Sequence, residues 1–159
     1  TNGQPSVRMV LLRGIDERGF VFFTNYSSRK AREIEANPQA ALCFYWESIK
    51  EQVRVEGIVK RTSNDESDIY FTSRERGSQL AAWASKQSSA LESRAELLAA
   101  YDKAKVRFPG GDVPRPDFWG GFRLHPERIE FWSNKTHRMH DRVVFVYKDD
   151  TWAKKRLYP

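Results

Sequence analysis

Apolar residues fall in short runs, and their spacing changes twice along the chain. Val7 to Leu12 reads as a buried strand, and Gly14 to Gly19, with its Asp and Gly punctuation, reads as a turn into a second strand over Phe20 to Thr24. Ser27 and Ser28 offer N-caps to a short helix carrying Arg29, Lys30, Ile34 and Ala36, which Asn37-Pro38 stops. Ala40 to Trp46 returns as a strand. Gln52 to Lys60 alternates Val53, Val55 and, after Gly57, Ile58 with charged Arg54 and Glu56, so one face is wet and the glycine marks a bulge.

The middle of the chain switches to helical signals. Ser63-x-x-Glu66 has capping-box spacing and opens a helix through Ile69, Tyr70 and Phe71, with Gly77 separating it from a segment around Leu80 to Ser85. Ser93-x-x-Glu96 repeats the signal before Leu97, Leu98 and Tyr101. Gly110-Gly111 with Pro109, Pro114 and Pro116 marks a connection, after which Phe118 to Leu124, Arg128 to Trp132, Arg142 to Tyr147 and Trp152 to Tyr158 read as strands. Hairpins at both ends of a helical middle predict an α+β fold: a mainly antiparallel sheet, curved into a small barrel with flanking helices. Residues 1–159 read as a single domain.

Composition narrows the chemistry. With 40% hydrophobic, 13% aromatic and 30% charged residues, the chain carries enough apolar material for one core and lacks the signature of disorder. Its net charge of +6 suits anionic partners, which include phosphate esters, nucleic acid and membrane surfaces. The single Cys43 lies in the apolar run Ala40 to Trp46 and reads as a buried reduced thiol; no intrachain disulfide is possible, which fits a reducing, cytoplasmic setting. That seven-residue run is the longest apolar stretch, far below the ~20 residues of a membrane-spanning helix. The sequence opens at Thr1 without methionine, in what reads as a hairpin turn, so a natural amino-terminal segment is expected to precede it.

Four clusters carry candidate chemistry. Thr24, Ser27, Ser28, Arg29 and Lys30 at a strand-to-helix junction, with Arg8 on the neighbouring strand, combine helix-start N–H groups, hydroxyls and cations into a phosphate cradle. They also read as an ordinary N-cap followed by solvated charges. Tyr70, Arg74 and Ser78, four apart, would share one helix face as a second phosphate grip, or form an amphipathic helix that Gly77 breaks before Ser78. Gln87-Ser88-Ser89 offers amide and hydroxyl groups for a heterocycle edge, and is equally a loop. Trp132 with His137-Arg138-Met139-His140-Asp141-Arg142 could clamp a charged planar substrate or form a charged hairpin turn. Three His and one Cys without tetrahedral spacing give no metal site. Dinucleotide-binding, P-loop, hydrolase-elbow and kinase signatures are missing from the sequence.

The series Arg8-Met9-Val10-Leu11-Leu12, Ser28-Arg29-Lys30, Phe44-Tyr45-Trp46, Gln52-Val53-Arg54-Val55-x-Gly57, Lys86-Gln87-Ser88-Ser89, Trp119-Gly120-Gly121-Phe122, Glu130-Phe131-Trp132 and His137 to Arg142 strongly resembles pyridoxine 5′-phosphate oxidase, nearly end to end. The resemblance implies an FMN-binding split-barrel homodimer. It also implies oxidation of pyridoxine or pyridoxamine 5′-phosphate to pyridoxal 5′-phosphate, with dioxygen as acceptor and hydrogen peroxide as product. By position, FMN contacts fall on Arg8, Met9, Val10, Leu11, Phe23, Thr24, Arg29, Lys30, Gln52, Gln87, Ser88, Trp132 and Arg142. Substrate contacts fall on Arg13, Tyr70, Arg74, Ser78 and Met139, with Arg138 and His140 over the pyridine ring as the catalytic pair.

Arg13 stands where the family usually carries Lys, a change that keeps the charge but adds bulk and planarity. Two further readings stay open: a related flavin oxidase for another aromatic substrate, such as a phenazine precursor, and a binding protein, either a flavin carrier or a basic nucleic-acid module. Cations dispersed among polar motifs, rather than massed in a stripe with stacking aromatics, argue against nucleic acid.

Overall fold

The computed structural model describes residues 3–159, so the first two positions of the opening turn lie outside the described residues. Seven strands form one sheet in which every pairing is antiparallel: β1 (Gly14–Asp16), β2 (Gly19–Asn25), β3 (Gln39–Trp46), β4 (Glu51–Arg61), β5 (Trp119–Ser133), β6 (Asp141–Lys148) and β7 (Thr151–Leu157). Among the described residues four α-helices flank it: α1 (Arg29–Ala36), α2 (Asn64–Thr72), α3 (Arg76–Ala84) and α4 (Arg94–Arg107). The architecture is the α+β split barrel expected.

The long β5 organises the sheet. One edge pairs with β4 along most of its length, while the other takes β2 over its first half and β6 over its second. Sharing one strand between two different neighbours curls the sheet. A core of Phe22, Ala31, Val55, Val59, Phe122 and Leu124 lies between the sheet and α1. A second cluster of Phe71, Leu80, Ala82, Ala104, Val113 and Trp119 joins α2, α3 and α4 to the start of β5. No helix among the described residues is long and apolar enough to cross a membrane.

The helix starts follow their caps. Ser28 accepts from the Ala31 amide, Ser93 from the Glu96 amide, and Ser63 with Glu66 forms a reciprocal capping box. The predicted bulge at Gly57 is present, but its extra residue is Glu127 on β5: Glu56 faces Arg128 and Gly57 faces Pro126. Alternation on β4 therefore continues unbroken, and Val59 rather than Ile58 is the inward residue beyond the glycine. A Cβ on Gly57 would lie 2.0 Å from the His125 carbonyl oxygen and 3.0 Å from the Glu127 nitrogen, both backbone atoms. Gly57→Ala is expected to destabilise the fold by about 1–3 kcal/mol through forced backbone movement, read as a lower urea midpoint with unchanged slope.

Four expectations need correction. Val7 to Leu12 is not a buried sheet strand: Val7 and Met9 are each 96% exposed, and only Val10 of that alternation packs on the core. A strand exists by virtue of a hydrogen-bonded neighbour; among the described residues this segment is assigned no strand, and the Arg13 amide just beyond it donates to the Val21 carbonyl. The first hairpin is instead β1 with β2. Cys43 is exposed, because strand alternation turns Leu42 and Phe44 inward and Cys43 outward opposite Arg54. The expected strands Phe118 to Leu124 and Arg128 to Trp132 fall, from Trp119 on, in a single strand, the bulge accommodating Pro126.

Candidate functional site

At the junction of β2 and α1, Asn25 accepts from the Ser27 amide at 2.7 Å and turns the chain so that Ser28 caps the helix. Lys30 then reaches back into the fold rather than outward. Its Nζ donates to Thr24 Oγ1 and to Gln87 Oε1, each at 2.9 Å, joining two of the predicted clusters across 57 residues of sequence. Burial, reinforced by the neighbouring Arg8 charge, lowers the Lys30 pKa. Arg29 and Arg8 do turn outward: Glu33 holds Arg29 at 2.7 Å and Arg8 at 2.8 Å. The junction is thus a capped helix start with Lys30 folded back onto Thr24 and Gln87.

A cavity of about 610 Å³ opens beside it, within the range of small-molecule sites. Leu11, Arg13, Phe23, Thr24, Tyr70, Arg74, Ser78 and Gln87 line it, together with Trp119. Tyr70, Arg74 and Ser78 do not share a helix, since α2 ends at Thr72 and α3 begins at Arg76. The helix break falls earlier than Gly77, which lies inside α3, and the three side chains still converge on the cavity. Phe23 and Tyr70 stack at 4.0 Å between ring centroids, and the Arg74 guanidinium sits 4.6 Å from the Trp119 ring centre. Arg13 lies 5.7 Å over the Tyr70 ring.

Arg74 is the cavity's most pointed feature. Its Nη1 is buried without a hydrogen-bond partner among the described residues. Burial first, and the Arg13 charge after it, lower its pKa. A buried guanidinium donor left unpaired is costly, and Arg74 is among the residues that line the cavity. Hydroxyls of Tyr70 and Ser78 and the second cation of Arg13 stand around the same space.

The remaining predicted residues form a second group. Cross-strand register places Gln52, Trp132 and Arg142 side by side on β4, β5 and β6, so their side chains share one face of the sheet. The His140 ring packs on Trp132 at 4.6 Å, and His140 Nδ1 accepts from the Lys135 amide at 3.2 Å. Between them, His137 and Arg138 adopt left-handed backbone (φ 55° and 61°), a strained choice for non-glycine residues that recurs at functional sites. Arg138 and Met139 face solvent. Gln52, Trp132, Arg138, Met139, His140 and Arg142 are not among the described residues that line the cavity. Met9 and Ser88 are also exposed, the latter in a turn at φ 71°.

Two contributors appear in the sequence only inside motifs, without a role of their own. Trp119 forms the platform under Arg74. Glu130 is 2% exposed and bonded to Arg54, Arg128 and Arg142. Alternation was the available signal, since it sets Arg128, Glu130 and Trp132 on one face.

Comparison with known proteins bears on both groups. Residues 1–108 match the family model described as pyridoxamine 5′-phosphate oxidase, and residues 119–159 match the pyridoxine 5′-phosphate oxidase C-terminal dimerisation region. Proteins named pyridoxine/pyridoxamine 5′-phosphate oxidase are similar along nearly the whole chain. The one from Rubrobacter xylanophilus is 57% identical, covering 99% of this chain and 73% of its own length. The one from Anaeromyxobacter dehalogenans is 55% identical, covering 99% and 79%. Among solved structures, PhzG from Burkholderia lata 383, in complex with tetrahydrophenazine-1-carboxylic acid, superposes with a TM-score of 0.94 at 30% identity, covering 100% of this chain and 78% of that one. A pyridoxamine 5′-phosphate oxidase-related, FMN binding protein from Nostoc punctiforme shares the fold at a TM-score of 0.77 and 19% identity, covering 99% and 83%.

Proposed function

This chain belongs to the pyridoxine/pyridoxamine 5′-phosphate oxidase family, and from that premise we propose that it binds FMN and oxidises pyridoxine or pyridoxamine 5′-phosphate to pyridoxal 5′-phosphate, with dioxygen as acceptor and hydrogen peroxide as product. The observation that carries this reading is the cavity in which Arg74 offers a buried, unpaired donor beside Tyr70, Ser78 and Arg13. That set suits a phosphate ester: charge-assisted bonds from two guanidinium groups, completed by hydroxyls.

Next to it, the Lys30, Thr24 and Gln87 cluster at the start of α1 supplies cation, hydroxyl and amide for the phosphate tail of FMN. Gln52, Trp132 and Arg142 supply an amide, an aromatic face and a guanidinium, which fit the polar edge and the plane of a flavin ring. Bound FMN would supply the hydride acceptor and the means of passing electrons to dioxygen, which the side chains themselves lack. The protein's part is to orient the pyridine ring, with Arg138 and His140 over it, and to fix both phosphates.

The separation of cavity and sheet row within one chain supports a homodimer in which each site takes its cavity from one protomer and its row from the other. The match of residues 119–159 to a dimerisation region supports it too, as do exposed Val7, Met9, Leu11 and Tyr158. A cytoplasmic location accords with a lone cysteine.

Anaerobic addition of pyridoxine 5′-phosphate to the FMN-loaded protein is expected to bleach the flavin absorbance, and air to restore it with release of peroxide. Protein that takes up no FMN, or a flavin band that stays unchanged, would overturn the proposal. The likeness to PhzG favours a second reading, oxidation of a phenazine-type precursor. Faster bleaching by an unphosphorylated tricyclic acid than by pyridoxine 5′-phosphate would select it; the Arg74 grip predicts the reverse.

A further inference from the structure

A carboxylate buried in a β-sheet needs a reason. Glu130 sits near the far end of β5 with only 2% of its surface exposed, on the face it shares with Trp132. Its Oε2 accepts from Arg54 Nη2 and Arg128 Nη2, each at 2.7 Å, and its Oε1 accepts from Arg142 Nε at 3.0 Å, with Arg142 Nη2 in ion-pair contact at 2.9 Å. Those three arginines come from β4, β5 and β6. Burial alone would push the carboxyl pKa up; the hydrogen bonds from Arg54, Arg128 and Arg142 outweigh it and hold the value at about 2, so Glu130 is a carboxylate throughout the physiological range.

Stability is a poor explanation, because replacing buried ion clusters with packed apolar residues is commonly neutral or favourable. Geometry offers a better one. Arg142 is gripped on two sides, by Glu130 at Nε and Nη2 and by the Tyr158 carbonyl at Nη1, 3.0 Å away. Two of its five N–H donors are thereby hydrogen-bonded to described residues, with Nη2 held in ion-pair contact with Glu130, and the guanidinium plane is fixed. The side chain nevertheless stays 27% exposed, which leaves it within reach of a ligand lying on the Gln52, Trp132 and Arg142 row.

We infer that Glu130 is a positioning residue, whose carboxylate locks the Arg142 guanidinium in the plane from which it meets the flavin. The inference rests on the proposed FMN site. It differs in sign from a purely electrostatic role. Replacing Glu130 by neutral Gln removes a negative charge from beside three cations; if charge alone mattered, anionic FMN would bind more tightly. If positioning matters, it binds more weakly.

FMN titrations followed by flavin fluorescence, on wild type, Glu130→Gln, Arg142→Met and the double variant, separate these cases. Glu130→Gln is expected to weaken FMN binding about tenfold, and Arg142→Met at least as much, with the double variant no weaker than Arg142→Met by more than about twofold. Wild-type or tighter affinity for Glu130→Gln overturns the inference, and so do additive losses in the double variant. Should circular dichroism show Glu130→Gln unfolded, Glu130→Asp keeps the charge but retracts it by one methylene. A partial loss that vanishes in the Arg142→Met background supports positioning, and unchanged affinity refutes it. Wild-type protein that binds no FMN fails the site reading itself; normal wild-type binding weakened by Arg142→Met but untouched at Glu130 fails only the positioning role.

Discussion

Arg74→Met is expected to lower kcat/KM for pyridoxine 5′-phosphate by a factor of about thirty to several thousand, the equivalent of about 2–5 kcal/mol for losing one partner of a desolvated, charge-assisted bond. Arg74 is the cavity cation with a buried donor awaiting a partner, and its stacking on Trp119 fixes the direction in which it presents that donor. The loss should fall on the phosphate alone. Turnover of the unphosphorylated alcohol, slow to begin with, should change little, so the preference for the phosphorylated compound collapses. FMN uptake should persist, because Lys30, Thr24 and Gln87 are bonded to one another and not to Arg74. Steady-state kinetics on both alcohols, beside an FMN titration, checks all three; equal losses on both would mean that Arg74 does not read the phosphate.

Mixing two inactive proteins should bring activity back. In the proposed dimer Arg74→Met spoils the cavity and Arg138→Met spoils the ring-facing group, and the two lie in different halves of a composite site. Random exchange of subunits makes half the dimers hybrids, each with one intact and one doubly damaged site, so activity should recover to about a quarter of wild type. Each variant alone should sit at least about thirtyfold below wild type, given the two-to-five kcal/mol scale of a lost charged contact. Hybrid formation can be followed with one partner carrying an affinity tag. Hybrids that form without recovering activity would place both groups in one chain's site.

What could be read in advance divides by range. Caps at Ser28, Ser63 and Ser93 are local events between a hydroxyl and an amide three residues on, and they fell where the sequence put them. The bulge at Gly57 was visible as a glycine in an alternating run, but which strand carried the extra residue depended on the partner, and Glu127 on β5 carries it. Val7 to Leu12 has strand composition without a neighbour in the described chain, so composition alone misled. Cys43 followed the alternation of its strand and not the hydrophobicity of its run.

The candidate site was legible through resemblance more than through pattern. Tyr70, Arg74 and Ser78 looked like a stripe on one helix; they meet because two helices and the link between them bend around one cavity, a tertiary fact. Gln52, Trp132 and Arg142 lie far apart in sequence and become neighbours only through register. Glu130 was hidden because a charge in a strand ordinarily marks the wet face, and three guanidinium partners from three strands are invisible until the sheet exists.

The single continuous β5 has an architectural consequence. Trp119 underlies the Arg74 guanidinium at one end of the strand and Trp132 stands at the other, thirteen residues on. At ~3.3 Å per residue that is a contour of about 40 Å, and even curled it acts as a rigid spar with a different tool mounted at each tip. Two spars crossing about a twofold axis would bring unlike tips together. Glu127, the kink near mid-length, then sets the angle at which they meet, so a change at that joint would retune the chemistry while touching no ligand at all.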